Sequence, residues 1–117
     1  MTYTFQYSAI FGRNWISMGL DDDDLRELEI SLLSNPLQGD VIPGTGGARK
    51  MRFAPASTGM GKRGGLRVCY ALIPEFATVV MVTAYTKRKK GDLTEAEKVA
   101  FRHYLQTTKA ILFRGAR

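Results

Sequence analysis

The chain has 117 residues, of which 44% are hydrophobic and 24% charged, a balance that is typical of a globular protein and excludes a disordered one. This length supplies one hydrophobic core and is too short for two, so residues 1–117 are expected to form a single domain. The net charge of +6 is unevenly distributed, because residues 1–43 carry two Lys or Arg and seven Asp or Glu, whereas residues 44–117 carry fifteen and four. The basic second half favours a polyanionic partner, nucleic acid before acidic protein, and a merely solvated basic surface is the alternative.

The first 35 residues predict one strand and two helices. Residues 2–8 alternate aromatic and polar side chains, as in a half-buried strand, and residues 9–18 predict a short helix that buries Ile10, Trp15 and Ile16. The run Asp21–Asp24 supplies an N-cap and an acidic first turn for a second helix, and it lacks the ligand spacing of a calcium loop. That helix carries leucines at helical spacing, which we expect to pack on the sheet: Leu25, Leu28, Leu32 and Leu33.

Two basic strands lie at the centre of the predicted sheet. In residues 49–53, apolar Met51 and Phe53 alternate with Lys50 and Arg52, and in residues 66–73 Arg67 points away from an apolar face. A turn-rich segment, residues 39–47, leads into the first of these strands. Two neighbouring strands of this kind bury one face each and present cations on the other.

The loop between these strands, residues 54–65, is rich in glycine and contains Lys62 and Arg63. It does not fit a Walker-type phosphate loop, because Ala56 stands where a glycine is needed and Arg63 where a Ser or Thr is needed. A third strand, residues 78–85, runs into the cationic segment 86–92, and Thr94 with Glu97 forms a capping box that opens the last helix.

The element order predicts an α+β fold. Short loops between the last three strands indicate an antiparallel meander, so we expect a small antiparallel sheet made of the N-terminal strand and this meander. The helices are expected to pack on one face, leaving the other face of the sheet for function.

Cysteine content and hydropathy indicate a cytoplasmic protein. Cys69 is the only cysteine, which excludes an internal disulfide and favours a reducing compartment, and its mid-strand position indicates a buried structural thiol. The N-terminus lacks the pattern of a signal peptide, and the longest apolar stretch is too short to span a bilayer. We therefore expect no membrane contact.

Residues 39–99 resemble the RelE/ParE superfamily of toxins from type II toxin–antitoxin modules, and most of all its HigB branch. The resemblance depends on three motifs and the distances between them: RKMR, GGLRV and YTKRKKGDLT. The resemblance implies a RelE-like microbial RNase-type fold with a basic concave face. RelE- and HigB-like members cut mRNA in the ribosomal A site and need no metal or other cofactor, whereas ParE-like members inhibit DNA gyrase. A cognate antitoxin, for HigB-like toxins commonly a HigA-like helix-turn-helix repressor, neutralises the toxin, which is expected to be monomeric within that complex.

The resemblance also implies site residues. The implied catalytic set is Lys50, Arg52, Arg67, Tyr85 and Lys87. The implied set that contacts RNA or the ribosome is Arg49, Lys62, Arg63, Arg88, Lys89 and Lys90. The alignment does not separate Lys87 from Arg88. RelE-type toxins stack an aromatic near their C-terminus on the substrate base, and since no tyrosine follows Tyr104 here, Tyr85 is the candidate for that role.

These residues suit metal-independent RNA cleavage, in which the ribose 2′-OH attacks the adjacent phosphate. Arg67 can hold phosphate oxygens while charge develops on them, and no His–carboxylate pair is available, so the general acid and base remain open between residues such as Lys50 and Tyr85. Two alternatives stay open: a gyrase inhibitor with no chemistry of its own, and a non-catalytic module whose cations only contact phosphates.

Overall fold

The computed structural model describes residues 2–59 and 65–116. Its elements are β1 (Thr4–Tyr7), α1 (Ala9–Ser17), α2 (Asp22–Ser34), β2 (Asp40–Val41), β3 (Arg49–Phe53), β4 (Leu66–Ile73), β5 (Thr78–Thr86) and α3 (Glu95–Gly115). Short 3-10 turns at Ala56–Thr58 and Pro74–Phe76 follow β3 and β4. None of the described helices is long and apolar enough to cross a bilayer.

The strands form a five-stranded sheet in the order β1-β5-β4-β3-β2. Strands β2 to β5 are antiparallel neighbours, which confirms the predicted meander. Strand β1 differs from the prediction of a wholly antiparallel sheet, because it lies parallel to β5, with Thr4 opposite Thr78. The chain leaves β1 through two helices, so no short hairpin forces β1 to run antiparallel to its neighbour. The turn-rich segment 39–47 also contributes a short edge strand that was not predicted, β2.

Helices cover both faces of the sheet, and the prediction that they cover only one was wrong. Helices α1 and α2 pack against the face that carries Met51, Val68 and Tyr70, whereas α3 packs through Phe101 and Leu105 against the opposite face. The second layer forms because β4 alternates between two apolar sets of side chains, so an uncovered face would leave Cys69, Ala71 and Ile73 in water. The candidate site therefore lies beside α3, not on an open sheet.

The helix starts follow the local sequence. Asp21 caps α2 by accepting a hydrogen bond from the Asp24 backbone N–H at 2.9 Å, and the Asp24 carboxylate accepts one from the Asp21 N–H at 3.0 Å. The predicted capping box of α3 is present in the same form between Thr94 and Glu97. The buried sides are less well predicted, since Ile10, Ile16 and Leu33 are 52%, 76% and 46% exposed.

One irregularity in the β4–β5 ladder decides which residues meet. Cys69 pairs with Thr83 and Tyr70 pairs with Met81, so Val82 is an extra residue in β5, a β-bulge. Beyond the bulge Arg67 lies opposite Tyr85. An unbroken ladder from Tyr70 and Met81 would have placed Ala84 there and turned the Tyr85 side chain toward α1 and α2, because side chains alternate along a strand.

Candidate functional site

A cleft of about 520 Å³ lies on the α3 side of the sheet and contains the whole predicted catalytic set. Its described lining residues are Gln38, Asp40, Lys50, Met51, Arg52, Arg67, Tyr85, Lys87, Gly91 and Asp92. Strands β3, β4 and β5, with the loop after β5, each contribute part of it.

Strand register aligns these side chains. Arg52 pairs with Arg67 and Arg67 with Tyr85, so the three form one row across β3, β4 and β5. Lys50 lies in the adjacent row on the same face, opposite Cys69 on β4 and Asp40 on β2. Cross-strand partners point to the same face with Cα atoms about 4.5–5.5 Å apart, so the row brings two guanidinium groups and a phenol together.

Arg67 is a buried cation that, within the described residues, has hydrogen-bond donors left without a partner. Its side chain is 7% exposed, and its Nη1 donates to the Gly65 carbonyl at 3.3 Å. Within the described residues no carboxylate lies within 4.0 Å of Arg67. Position 65 needs glycine, because a Cβ there would approach the Phe53 carbonyl oxygen to 2.5 Å. A guanidinium with five N–H donors and no neutralising carboxylate is suited to bind an anion such as phosphate.

The other three cations divide the cleft into two ends. Arg52 and Lys87 are exposed and, in the described part of the chain, have no ion-pair partner. Lys50 differs, since its Nζ lies 4.0 Å from Asp92 Oδ1 and its cross-strand neighbour is Asp40. The end with Arg52, Arg67 and Lys87 is therefore cationic, whereas the Lys50 end has two nearby carboxylates.

Tyr85 is held as a neutral phenol. It is 8% exposed, and burial raises its pKa to about 12, a rise that the nearby Arg67 charge partly offsets. The phenol can donate a hydrogen bond into the cleft at neutral pH. Its ring belongs to the core under α3 and also lines the cleft, and its stacking on a substrate base stays a prediction.

The residues predicted to contact RNA or the ribosome are dispersed. Arg49 lies on the opposite face, where its Nη1 donates to the carbonyls of Leu37 and Gly39 at 3.1 and 2.8 Å, and it fixes the chain between α2 and β2. In the loop after β5, Lys90 is tied to Glu97 at 2.6 Å. The remaining predicted cations are the exposed Arg88 and Lys89, and Lys62 and Arg63, which fall outside the described residues.

A second groove of about 400 Å³ adjoins the cleft between α1 and the end of β5. Tyr85 lines both cavities, and Lys89 and Lys90 line the groove together with Asn14 and Met18. The Asn14 side-chain amide donates to the Ala84 carbonyl at 3.0 Å. This carbonyl lies in the part of β5 that extends past β1, so the amide replaces a hydrogen bond from a neighbouring strand.

Sequence reasoning missed the acidic residues of the cleft. Asp40 lies in a segment predicted to be rich in turns, and Asp92 follows a run of four cations, so neither was predicted as a site residue. Cys69 was predicted correctly: it is 0% exposed, and burial raises its pKa to about 12. Among the described residues no group of three or more His, Cys, Asp or Glu side chains is placed to hold a metal ion.

No protein-family model matches this sequence, but solved structures do. The isolated E. coli RelE toxin in a P21 crystal form matches with a TM-score of 0.52 and 16% identity, covering 94% of this chain and 99% of RelE. A double arginine-to-alanine mutant of E. coli RelE in the free state matches with a TM-score of 0.52 and 16% identity, covering 77% of this chain and 88% of that one. A chain of the intact E. coli RelBE toxin–antitoxin complex matches with a TM-score of 0.50 and 16% identity, covering 71% and 94%.

These matches do not distinguish the HigB branch, which stays a prediction. At 16% identity the likeness concerns the fold, and it extends over nearly all of the isolated RelE chain. The protein has the α+β fold of the E. coli RelE toxin.

Proposed function

We propose that this protein is the toxin of a type II toxin–antitoxin module and acts as a ribosome-dependent mRNA endonuclease. The observation that carries the proposal is the row Arg52–Arg67–Tyr85, which lies in one cleft with Lys50 and Lys87. Like charges directly opposite each other on neighbouring strands are unfavourable for folding. Arg52 and Arg67 are such a pair, and in the described chain neither has a carboxylate partner although Arg67 is buried. A binding site for a polyanion requires this arrangement of unpaired cations.

The reaction is attack of a ribose 2′-OH on the adjacent phosphate, with no metal ion. Arg67, fixed between Arg52 and Tyr85, would bind the non-bridging oxygens as negative charge accumulates on them. Arg52 and Lys87 add positive charge at the same end of the cleft. The Tyr85 phenol, which stays protonated at neutral pH, can donate to a phosphate oxygen but cannot accept the 2′-OH proton.

Substrate positioning would come from the ribosome. The cleft is open and contains no histidine among its described lining residues, so its intrinsic chemistry is modest. Holding reactants in an attack geometry can contribute about 7–11 kcal/mol to lowering a barrier. A ribosome that presents mRNA in an extended, fixed conformation would supply that contribution, and free RNA would be cut poorly. This places the proposed activity in the cytoplasm.

The partner would be a cognate antitoxin that binds a single toxin chain. One of the structural matches is a chain of a toxin–antitoxin complex, RelBE of E. coli. The charge of residues 44–117, fifteen Lys or Arg against four Asp or Glu, favours an antitoxin segment rich in acidic side chains. A HigA-like helix-turn-helix repressor is the form that the sequence resemblance suggests.

Reconstituted translation separates this function from its alternatives. Purified protein is added to an mRNA with and without ribosomes, and the mRNA ends are mapped by primer extension. We expect cuts at A-site codons that require ribosomes, that disappear with Arg67→Met, and that persist with Arg26→Met, which removes an exposed cation of α2.

Two other outcomes would contradict the proposal. Intact mRNA combined with inhibition of gyrase supercoiling would indicate a ParE-like inhibitor. Intact mRNA with salt-sensitive ribosome or RNA binding, weakened in graded fashion by each cation substitution, would indicate a non-catalytic binding module.

A further inference from the structure

The cleft has many hydrogen-bond donors and few groups that can accept a proton. Arginine guanidinium and lysine ammonium groups only donate, and the Tyr85 phenol is protonated at neutral pH. A side-chain amide such as that of Gln38 is not basic. The side chains among the described lining residues that can accept a proton from a ribose hydroxyl are the carboxylates of Asp40 and Asp92.

Position favours Asp92 over Asp40. Asp92 Oδ1 lies 4.0 Å from Lys50 Nζ, and its side chain is 97% exposed, so it can reach a bound substrate. Asp40 lies opposite Lys50 in the register, yet among the described residues its carboxylate is not within 4.0 Å of that ammonium. The Lys50 charge is therefore in place to hold the Asp92 carboxylate at the cleft.

The loop that carries Asp92 is anchored on both sides. At its start the backbone N–H groups of Lys89 and Lys90 donate to the Thr86 carbonyl, each at 3.2 Å. The Lys90 ammonium also meets Glu97 of α3 at 2.6 Å, and Thr94 caps that helix two positions after Asp92. The anchors fix the backbone on either side of Asp92, whose side chain is 97% exposed.

We propose that Asp92 is the general base of the cleavage reaction, an inference that rests on the proposed function. The phosphate would lie at the Arg52–Arg67–Lys87 end and the ribose at the Lys50–Asp92 end. The Asp92 carboxylate takes the proton as the 2′-O–H bond breaks and the 2′-O–P bond forms. The P–O5′ bond then breaks, its electron pair stays on the 5′ oxygen, and that oxygen takes a proton from water. The products are a 2′,3′-cyclic phosphate and a 5′-hydroxyl end.

Asp92→Asn tests this assignment in the ribosome-dependent reaction. We expect single-turnover cleavage to slow by about 10²–10⁴-fold, the usual contribution of a general base. Binding to the programmed ribosome should be retained or tightened, because the substitution removes a negative charge from a site for RNA. Asp22→Asn, the same change on the exposed first turn of α2, is the matched control and should leave cleavage unchanged.

Several outcomes would overturn the assignment. The first is a cleavage rate of Asp92→Asn within about threefold of wild type. The second is a loss of ribosome binding by Asp92→Asn in proportion to its loss of cleavage. The third is a large loss of cleavage rate in Asp40→Asn while Asp92→Asn remains active. The proposed function fails separately, when wild-type protein leaves mRNA intact on ribosomes or still cuts a site whose 2′-OH has been replaced by hydrogen.

Discussion

Arg67→Met is the substitution that most directly separates function from folding at this site. The methionine keeps an apolar stem of similar length and removes the charge and the hydrogen-bond donors. Removing one donor that stabilises developing negative charge typically lowers the rate about 10²–10³-fold, or about 2.7–4 kcal/mol. We expect ribosome-dependent cleavage to fall by at least that factor, since Arg67 is the buried cation of its row.

Stability should respond differently. The side chain donates to the Gly65 carbonyl at 3.3 Å, and losing that bond costs about 1 kcal/mol. Against this, the substitution relieves repulsion with Arg52 directly across the ladder, roughly 0.2–1 kcal/mol, and removes the cost of burying a charge. These contributions oppose one another, so the free energy of unfolding should change by no more than about 1 kcal/mol, or about 3–6 °C in Tm.

The assay pairs urea unfolding with single-turnover cleavage for the wild type, Arg67→Met and the control Arg26→Met. The control should match the wild type in cleavage, because Arg26 lies on α2, which packs on the other face of the sheet. Destabilisation by clearly more than about 1 kcal/mol, the net worth of the hydrogen bond to Gly65, would refute the reasoning. It would mean that Arg67 supports the fold, and its effect on cleavage would then say nothing about phosphate binding.

Three further predictions follow from the hydrogen bonds and pKa shifts. Tyr85→Phe should remove an ultraviolet titration step near pH 12. Because burial raises the Tyr85 pKa, the stability that its neutral phenol contributes is complete below about pH 10 and is lost as the pH rises toward 12. Arg49→Ala should lower the unfolding free energy by about 1–3 kcal/mol in urea titrations and leave cleavage intact, because Arg49 bonds the Gly39 carbonyl on the opposite face. Ser57→Ala removes the 2.6 Å hydrogen bond that chiefly lowers the Asp24 pKa. That bond stabilises the fold above about pH 4, and its contribution is lost as the pH falls further. In acid unfolding, the stabilities of wild type and variant should therefore converge.

Features fixed by neighbouring residues were predictable from the sequence. The bounds of β3 and β4 match the prediction, because apolar and cationic residues alternate there with a period of two. The caps of α2 and α3 were also predictable, since a capping box is confined to four consecutive positions. The second helical layer was not, because the apolar set Cys69, Ala71 and Ile73 within an already hydrophobic strand does not show what covers it.

The candidate site was predictable to the extent that it follows strand alternation. Lys50, Arg52 and Arg67 share a face because odd and even positions of paired strands do. Alternation also places Arg49, which precedes Lys50, on the other face, and its contact with RNA or the ribosome stays a prediction. Asp92 depends on how a loop folds back over β3, and no local pattern encodes that contact.

The β-bulge at Val82 determines which side chains of β5 face the cleft. Regular alternation from Met81 would direct the Tyr85 side chain toward α1 and α2, where a phenol would be buried without access to the cleft. The extra residue shifts the pairing by one, so Thr83 and Tyr85 face α3 and Tyr85 closes the row begun by Arg52 and Arg67. Because bulges re-aim side chains at a local cost in ladder hydrogen bonds, the position of this one, three residues before the tyrosine, indicates that it serves the cleft.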